Sequence, residues 1–282
     1  MAKLSHYLML LPGIVSYVIF LIAPLFVMVL MSFYTASGHL GFEPKLTLSN
    51  YIGFFTSPQA PIILYNTFGM AILTCIVTLI FAYPLAYFIT FTIKSNKLRT
   101  YVISLLLVPF LIDWTIRSVT WIPVLGDEGI VNYILRSIGL INEPIRFLYT
   151  RGALILIWFQ SYLVFMMFPI QLALQRIDPD LIYAAMVSKA PPHRIQYDII
   201  FKLAKPGIVC GVIFVFVNVI GDHITPGLWA GGLQVLGLSV ATYATNFVWP
   251  YAAALSTILL AIALLILYIL LKIVDIKKLI YE

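Results

Sequence analysis

Apolar residues run along this chain in long blocks separated by shorter polar stretches. Six such blocks cover about residues 7–33, 62–93, 101–124, 153–174, 199–222 and 252–273. A helix crossing a bilayer needs about 20 mostly apolar residues, so each block predicts one span. The fifth is densely apolar only from 208 to 220 and reaches crossing length by starting near Ile199. Prolines 12, 24, 84, 109 and 169 lie in or near these blocks. Neighbouring helices can satisfy the backbone groups a proline frees, so kinks rather than breaks are expected. The first block is too long for a signal-peptide core and lacks a clear small-residue cleavage site, so it reads as a retained anchor. The expected fold class is all-α: a polytopic membrane protein with six transmembrane helices in a single domain over residues 1–282.

The stretches between the blocks differ in character. Residues 34–61 are rich in Gly, Pro, Ser and Thr. Between 125 and 151, Ile130, Tyr133, Ile134 and Ile138 follow helical spacing and Gly139 supplies a stop, predicting a short amphipathic surface helix. Residues 221–250 hold no Lys or Arg and much Gly, Thr, Pro and aromatic. Such backbone sits at membrane depth only if it is buried in protein or lines a cavity. Residues 178–206 are basic and broken by Pro191-Pro192. No internal repeat is evident, and its absence weighs against a secondary transporter built from inverted halves.

Composition agrees with a lipid environment. Of 282 residues, 62% are hydrophobic and 10% charged, against about 25% charged in soluble domains. Cys75 and Cys210 both lie in apolar runs and form no disulfide or metal framework. The net charge of +6 is explained by topology rather than by nucleic acid. Lys3, Lys94, Lys97, Arg99, Arg176, Lys189, Arg194, Lys202, Lys205, Lys272, Lys277 and Lys278 fall on one side of the predicted spans. The other side has Lys45, Arg136, Arg146 and Arg151. The positive-inside rule therefore places both termini and residues 178–206 in the cytoplasm.

Intramembrane polar residues are the candidates for chemistry, because an ionisable group in a span is costly. Asp113 and Arg117 are four apart in the third span, on one helical face, either as a mutually neutralising pair or facing a solute path. Asp222 ends the fifth span with no evident local partner. It is placed to attract a cationic solute, with Trp229, Tyr243 and Trp249 offering aromatic faces, unless those rings form an interfacial belt. The four histidines are scattered, and neither H-E-x-x-H nor G-x-x-x-x-G-K-S/T occurs. No metal site, nucleotide site or nucleophile–base constellation is expected.

The basic stretch can be read locally. Asp178-Pro179 is a helix start, with an N-cap before proline at the first helical position. A helix over about 180–190 would stop at Pro191-Pro192, and a second would begin near His193, carrying Ile195, Ile199, Ile200 and Leu203. Two short angled helices result, either docking into a partner's groove or lying at the interface with their basic residues snorkelled.

The motifs resemble those of the permeases of binding-protein-dependent ABC importers. Ala184-Ala185 resembles the paired alanines of the family's cytoplasmic EAA loop, and Lys205-Pro206-Gly207-Ile208 the opening of its fifth helix. YPLAYFI at 83–89, LLLVPFLIDWTIRSVTW at 105–121, GIVNYILRSIGLINEPIRFLYT at 129–150 and GDHITPGLWAGG at 221–232 are similar to further family motifs, in order. The spermidine/putrescine branch is the nearest in pattern. Tyr183 replaces the family's Glu, Lys189 its Gly and Lys202 a later Pro; Pro191-Pro192 is the expected substitute for the glycine turn. Either the cognate ATPase surface differs, or this loop couples weakly beside a second permease. The resemblance implies an EAA-type coupling loop at 178–206 between the fourth and fifth helices. Tyr183, Ala184, Ala185, Ser188, Lys189, Ala190, His193 and Arg194 would meet two cytoplasmic ABC ATPases. It further implies a bacterial inner-membrane location, a second permease subunit, an extracytoplasmic binding protein and a polyamine solute. ATP and Mg would be bound by the ATPases, with no cofactor on this chain.

Overall fold

The computed structural model describes residues 11–37 and 41–273. Lys3, Lys277 and Lys278, on which part of the orientation argument rests, lie outside the described residues, as does the start of the first predicted span. Within the described residues the chain is helical, with an isolated antiparallel bridge between Thr35 and Glu43. Five helices are long and apolar enough to cross a membrane: α1 (Leu11–Met31), α3 (Ala60–Thr92), α8 (Arg151–Gln175), α10 (Pro192–Gly221) and α13, whose span is Trp249–Lys272. The shorter elements are α2 (Ser49–Thr56), α4 (Asn96–Leu107), α5 (Trp114–Val119), α6 (Ile122–Leu125), α7 (Ile130–Ser137), α9 (Pro179–Val187), α11 (Ile224–Trp229) and α12 (Leu236–Thr245).

The third predicted span is not one helix. Asn96–Leu111 ends in a 3-10 turn containing Pro109, and Trp114–Ser137 departs at 96°. Ile112 and Asp113 between them are extended, with ψ of 135° and 145°. Pro109 offers no N–H to continue the ladder, and Asp113 starts a new helix by capping it. A kink therefore becomes a break, and the pair makes a sixth span if its two arms are counted as one.

The fifth span also differs. α10 runs without interruption from Pro192 to Gly221, so the expected second short helix is the first part of the span itself. A π-turn at Ile195–Phe201 lies directly ahead of Pro206, as one at Val18–Ile22 accompanies Pro24 in α1. A wider turn beside a proline gives its ring room against the preceding carbonyl.

The described residues divide into two compact units. One is built from the chain up to residue 63 together with 236–262, the other from 64–235 and from 263 on. In the first, Asn50 Nδ2 donates to the carbonyls of Ser32 and Tyr34, both over 2.9 Å, tying α2 to the end of α1. Gly41 there has φ of +77°, and a Cβ on it would collide with the Phe247 carbonyl and the Trp249 ring.

The second unit is organised around α8, where Leu154, Ile157, Trp158, Met166, Met167, Ile170 and Leu174 are buried. α10 lies against it through Gly207 and Gly211, whose missing side chains bring its backbone against the carbonyls of Pro169 and Met166. Small residues four apart are the usual means of close helix approach in lipid, where apolar surface alone drives no association. By contrast, no residue of α1 is buried among the described residues.

Candidate functional site

The stretch 178–206 is a helix–turn–helix. The Asp178 carboxylate accepts the Asp180 N–H over 2.9 Å, and Pro179 occupies the first turn of α9. At the other end, Lys189 N–H donates to the Met186 carbonyl over 2.9 Å and Ala190 N–H to that of Ala185 over 3.1 Å. These two bonds, with Lys189 at φ +57°, are a Schellman cap. The left-handed turn is thus made by Lys189 itself. The expectation that Pro191-Pro192 replaces it is corrected: Pro191 is extended after the turn and Pro192 opens α10.

None of α9 is buried. Tyr183 is 62% and Val187 83% exposed, with Leu181 and Met186 about half exposed. Ala184, Ser188, Lys189, His193 and Arg194 are exposed, while Ala185 and Ala190 are intermediate. The eight predicted coupling residues thus follow one another along α9, the turn and the first residues of α10. Between α9, the end of α3 and the start of α10 lies a groove of about 670 Å³, lined by Tyr87, Thr90, Phe91, Ile182, Met186 and Ile195, among others. Gln196 Nε2 donates to the Tyr83 hydroxyl over 2.7 Å, fixing the base of α10 to α3.

The expected Asp113–Arg117 face does not form, because Asp113 lies outside the helix. Its carboxylate accepts the N–H of Thr115 over 2.9 Å and of Ile116 over 3.4 Å, and the residue is exposed. Arg117 is 9% exposed, with its guanidinium carbon 5.1 Å from the ring centroids of both Phe110 and Trp114. Among the described residues the ion pairs are Arg136–Glu128 at 3.9 Å and Lys202–Asp198 at 3.0 Å.

Asp222, expected to lack a local partner, has several. Its carboxylate accepts Trp158 Nε1 over 2.8 Å, the backbone N–H of Ile224 over 2.9 Å and of Thr225 over 3.1 Å, and the Thr225 hydroxyl. Trp114 Nε1 reaches the same Thr225 hydroxyl over 3.2 Å. A carboxylate has about four acceptor positions, so Asp222 has little capacity left for a solute ammonium. It is a junction that joins α5, α8, α10 and α11. Trp229 is 2% exposed and packed beside Tyr149 with centroids 6.2 Å apart. Tyr243 and Trp249 belong to the other unit, where each is partly exposed and packs edge-on, against Tyr251 and Phe247 respectively. Sequence reasoning missed Trp158, whose partner lies 64 residues away, although Asp222 three before Thr225 is a capping pattern.

Comparison with known proteins extends these observations. A family model described as "Binding-protein-dependent transport system inner membrane component" matches residues 79–278. The chain is 27% identical over 257 residues to the spermidine/putrescine transport system permease protein PotB of Haemophilus influenzae, covering 89% of this chain and 88% of that one. It is 28% identical over 239 residues to the inner membrane ABC transporter permease protein YdcU of Escherichia coli, covering 80% and 75%. Among solved structures, a chain of a bacterial ABC transporter involved in alginate import superposes with a TM-score of 0.75 at 21% identity, over 100% of this chain and 97% of that one. A chain of the MetNI methionine ABC transporter gives 0.53 at 17% identity, over 76% and 94%. These two likenesses concern the fold.

Proposed function

Because the chain belongs to the family of binding-protein-dependent transport system inner membrane components, a multi-pass membrane permease family, we propose that it forms half of the translocation path of an ATP-driven importer. A second permease subunit, identical or different, supplies the other half. Two cytoplasmic ATPases bind ATP and Mg and dock on residues 178–206, and an extracytoplasmic binding protein delivers the solute. Both termini face the cytoplasm. This chain contributes transport, not hydrolysis.

The observation that carries the proposal is the uncovered apolar surface of α9. Leu181, Tyr183, Met186 and Val187 stand exposed on a helix that buries nothing of itself. Tyr183, Met186 and Val187 share one side of the helix at about 100° per residue, an exposed apolar face of the kind that marks an interaction site and suits a groove on a partner. The Schellman turn at 188–190 links α9 closely to α10, so a push on α9 reaches the span packed on α8 through Gly207 and Gly211.

The solute we propose is a polyamine such as spermidine or putrescine. The similarity to PotB, whose name states that transport system, supports it. So does Asp113, a carboxylate exposed at the break of the third span. A charge at that depth is too costly against lipid and belongs toward a path or partner. The test is to purify the tagged chain from native membranes, identify the ATPase that co-elutes, and measure spermidine uptake in proteoliposomes with the companion binding protein. Uptake that follows an ion gradient without ATP would sink the importer reading. Failure of the binding protein to hold any polyamine would sink the solute alone.

A further inference from the structure

Arg117 is a buried cation in the membrane-spanning region that makes no ion pair among the described residues. Its faces are covered by Phe110 and Trp114, and Trp114 in turn packs on Tyr162 with centroids 4.9 Å apart. Cation–π contact engages the face of the guanidinium, whereas its N–H donors lie in the plane and still require acceptors. Nε and Nη1 are buried and meet none among the described residues, and the hydroxyl of the adjacent Ser118 is also buried without a partner. The nearby carboxylates have other hydrogen-bond partners. Asp113 caps its own helix, and Asp222 is held by Trp158, Ile224 and Thr225.

Cation–π contact offsets only part of what an uncompensated buried charge costs. From this imbalance, resting on the permease reading above, we propose that Arg117 is the receptor for an oxyanion brought from outside this chain. A carboxylate is the form that both a solute and a partner subunit can offer. A polyamine carries cations, so under the polyamine reading the carboxylate is a side chain of the second permease subunit. It would close on Arg117 as the two halves assemble around the break at 112–113.

The experiment compares the full-length chain with Arg117→Met, Arg117→Gln and Arg117→Lys. Methionine keeps the bulk and an attractive contact with aromatic rings while removing the charge. In the isolated chain, Arg117→Met should leave the melting temperature unchanged or raise it, since it removes a stranded cation. In the complete complex, the Met and Gln variants should lower recovery of the second permease about tenfold or more, and Lys should restore part of it. Intact assembly with ATP-driven uptake lowered about tenfold would place the carboxylate on the solute, and would also count against a polyamine. A lower melting temperature for Arg117→Met in the isolated chain overturns the proposal, as does unaltered assembly and uptake. If the wild-type complex holds no ATPase, the permease reading fails, and the melting comparison still judges Arg117.

Discussion

The indole N–H of Trp158, in the first half of α8, donates to the Asp222 carboxylate across 2.8 Å, at the point where α10 ends and α11 begins. A residue that looks in sequence like a solute-attracting charge is thereby a clamp between helices. Asp222→Asn should leave the Trp158 donor or a neighbouring N–H without its acceptor, a loss of about 1–3 kcal/mol. We expect a lower melting temperature, measured by intrinsic fluorescence of the purified chain. For whatever protein remains folded, the apparent KM for transport should be unchanged. A raised KM with unchanged melting would instead place Asp222 in contact with the solute.

Lys189 occupies a left-handed backbone position that glycine adopts without a steric penalty. Lys189→Gly should stabilise the turn by about 1 kcal/mol, and Lys189→Val should weaken it, because a branched side chain tolerates that conformation least. Hydrogen exchange at the amides of Lys189 and Ala190, both bonded back into α9, reads this directly. Slower exchange in the Gly variant and faster exchange in the Val variant are expected.

The contact of α10 with α8 permits no side chain at Gly207, where a Cβ would overlap the Pro169 carbonyl and the Ala173 side chain. Gly207→Ala should therefore destabilise by about 1–3 kcal/mol, as overpacking of a tight contact does. At Gly69, in the interior of α3, an added methyl would meet no neighbour nearer than 3.9 Å. Gly69→Ala should be neutral or gain up to about 1 kcal/mol. The paired melting temperatures check both, and equal effects would contradict the packing described.

Much of this was legible from the sequence, for reasons specific to membrane proteins. In lipid the length of an apolar block nearly dictates a span, and five blocks became long helices directly. Pro109 and Asp113 hid the break in the third block, since prolines in spans more often bend than divide a helix. An aspartate followed by Trp114 and Thr115 in an apolar run was nevertheless a helix-start signal. The first part of α10 is amphipathic and its remainder apolar all round, so one helix reads as two. Asp178-Pro179 announced α9 correctly, because capping is local. Asp222 did not announce Trp158, because their contact exists only once α8 and α10 are packed.

If α9 is where the ATPases bind, Val187 is the position to disturb. At 83% exposed it supports nothing inside the chain, so Val187→Glu should fold and insert as the wild type does. Buried in a partner's groove, the new carboxylate would lose solvation at a cost of several kcal/mol. Co-purification with the partner ATPase from native membranes should then fall about tenfold or more, with the melting temperature of the chain unchanged. Undiminished ATPase recovery with the folded variant would contradict the claim and move the docking surface elsewhere.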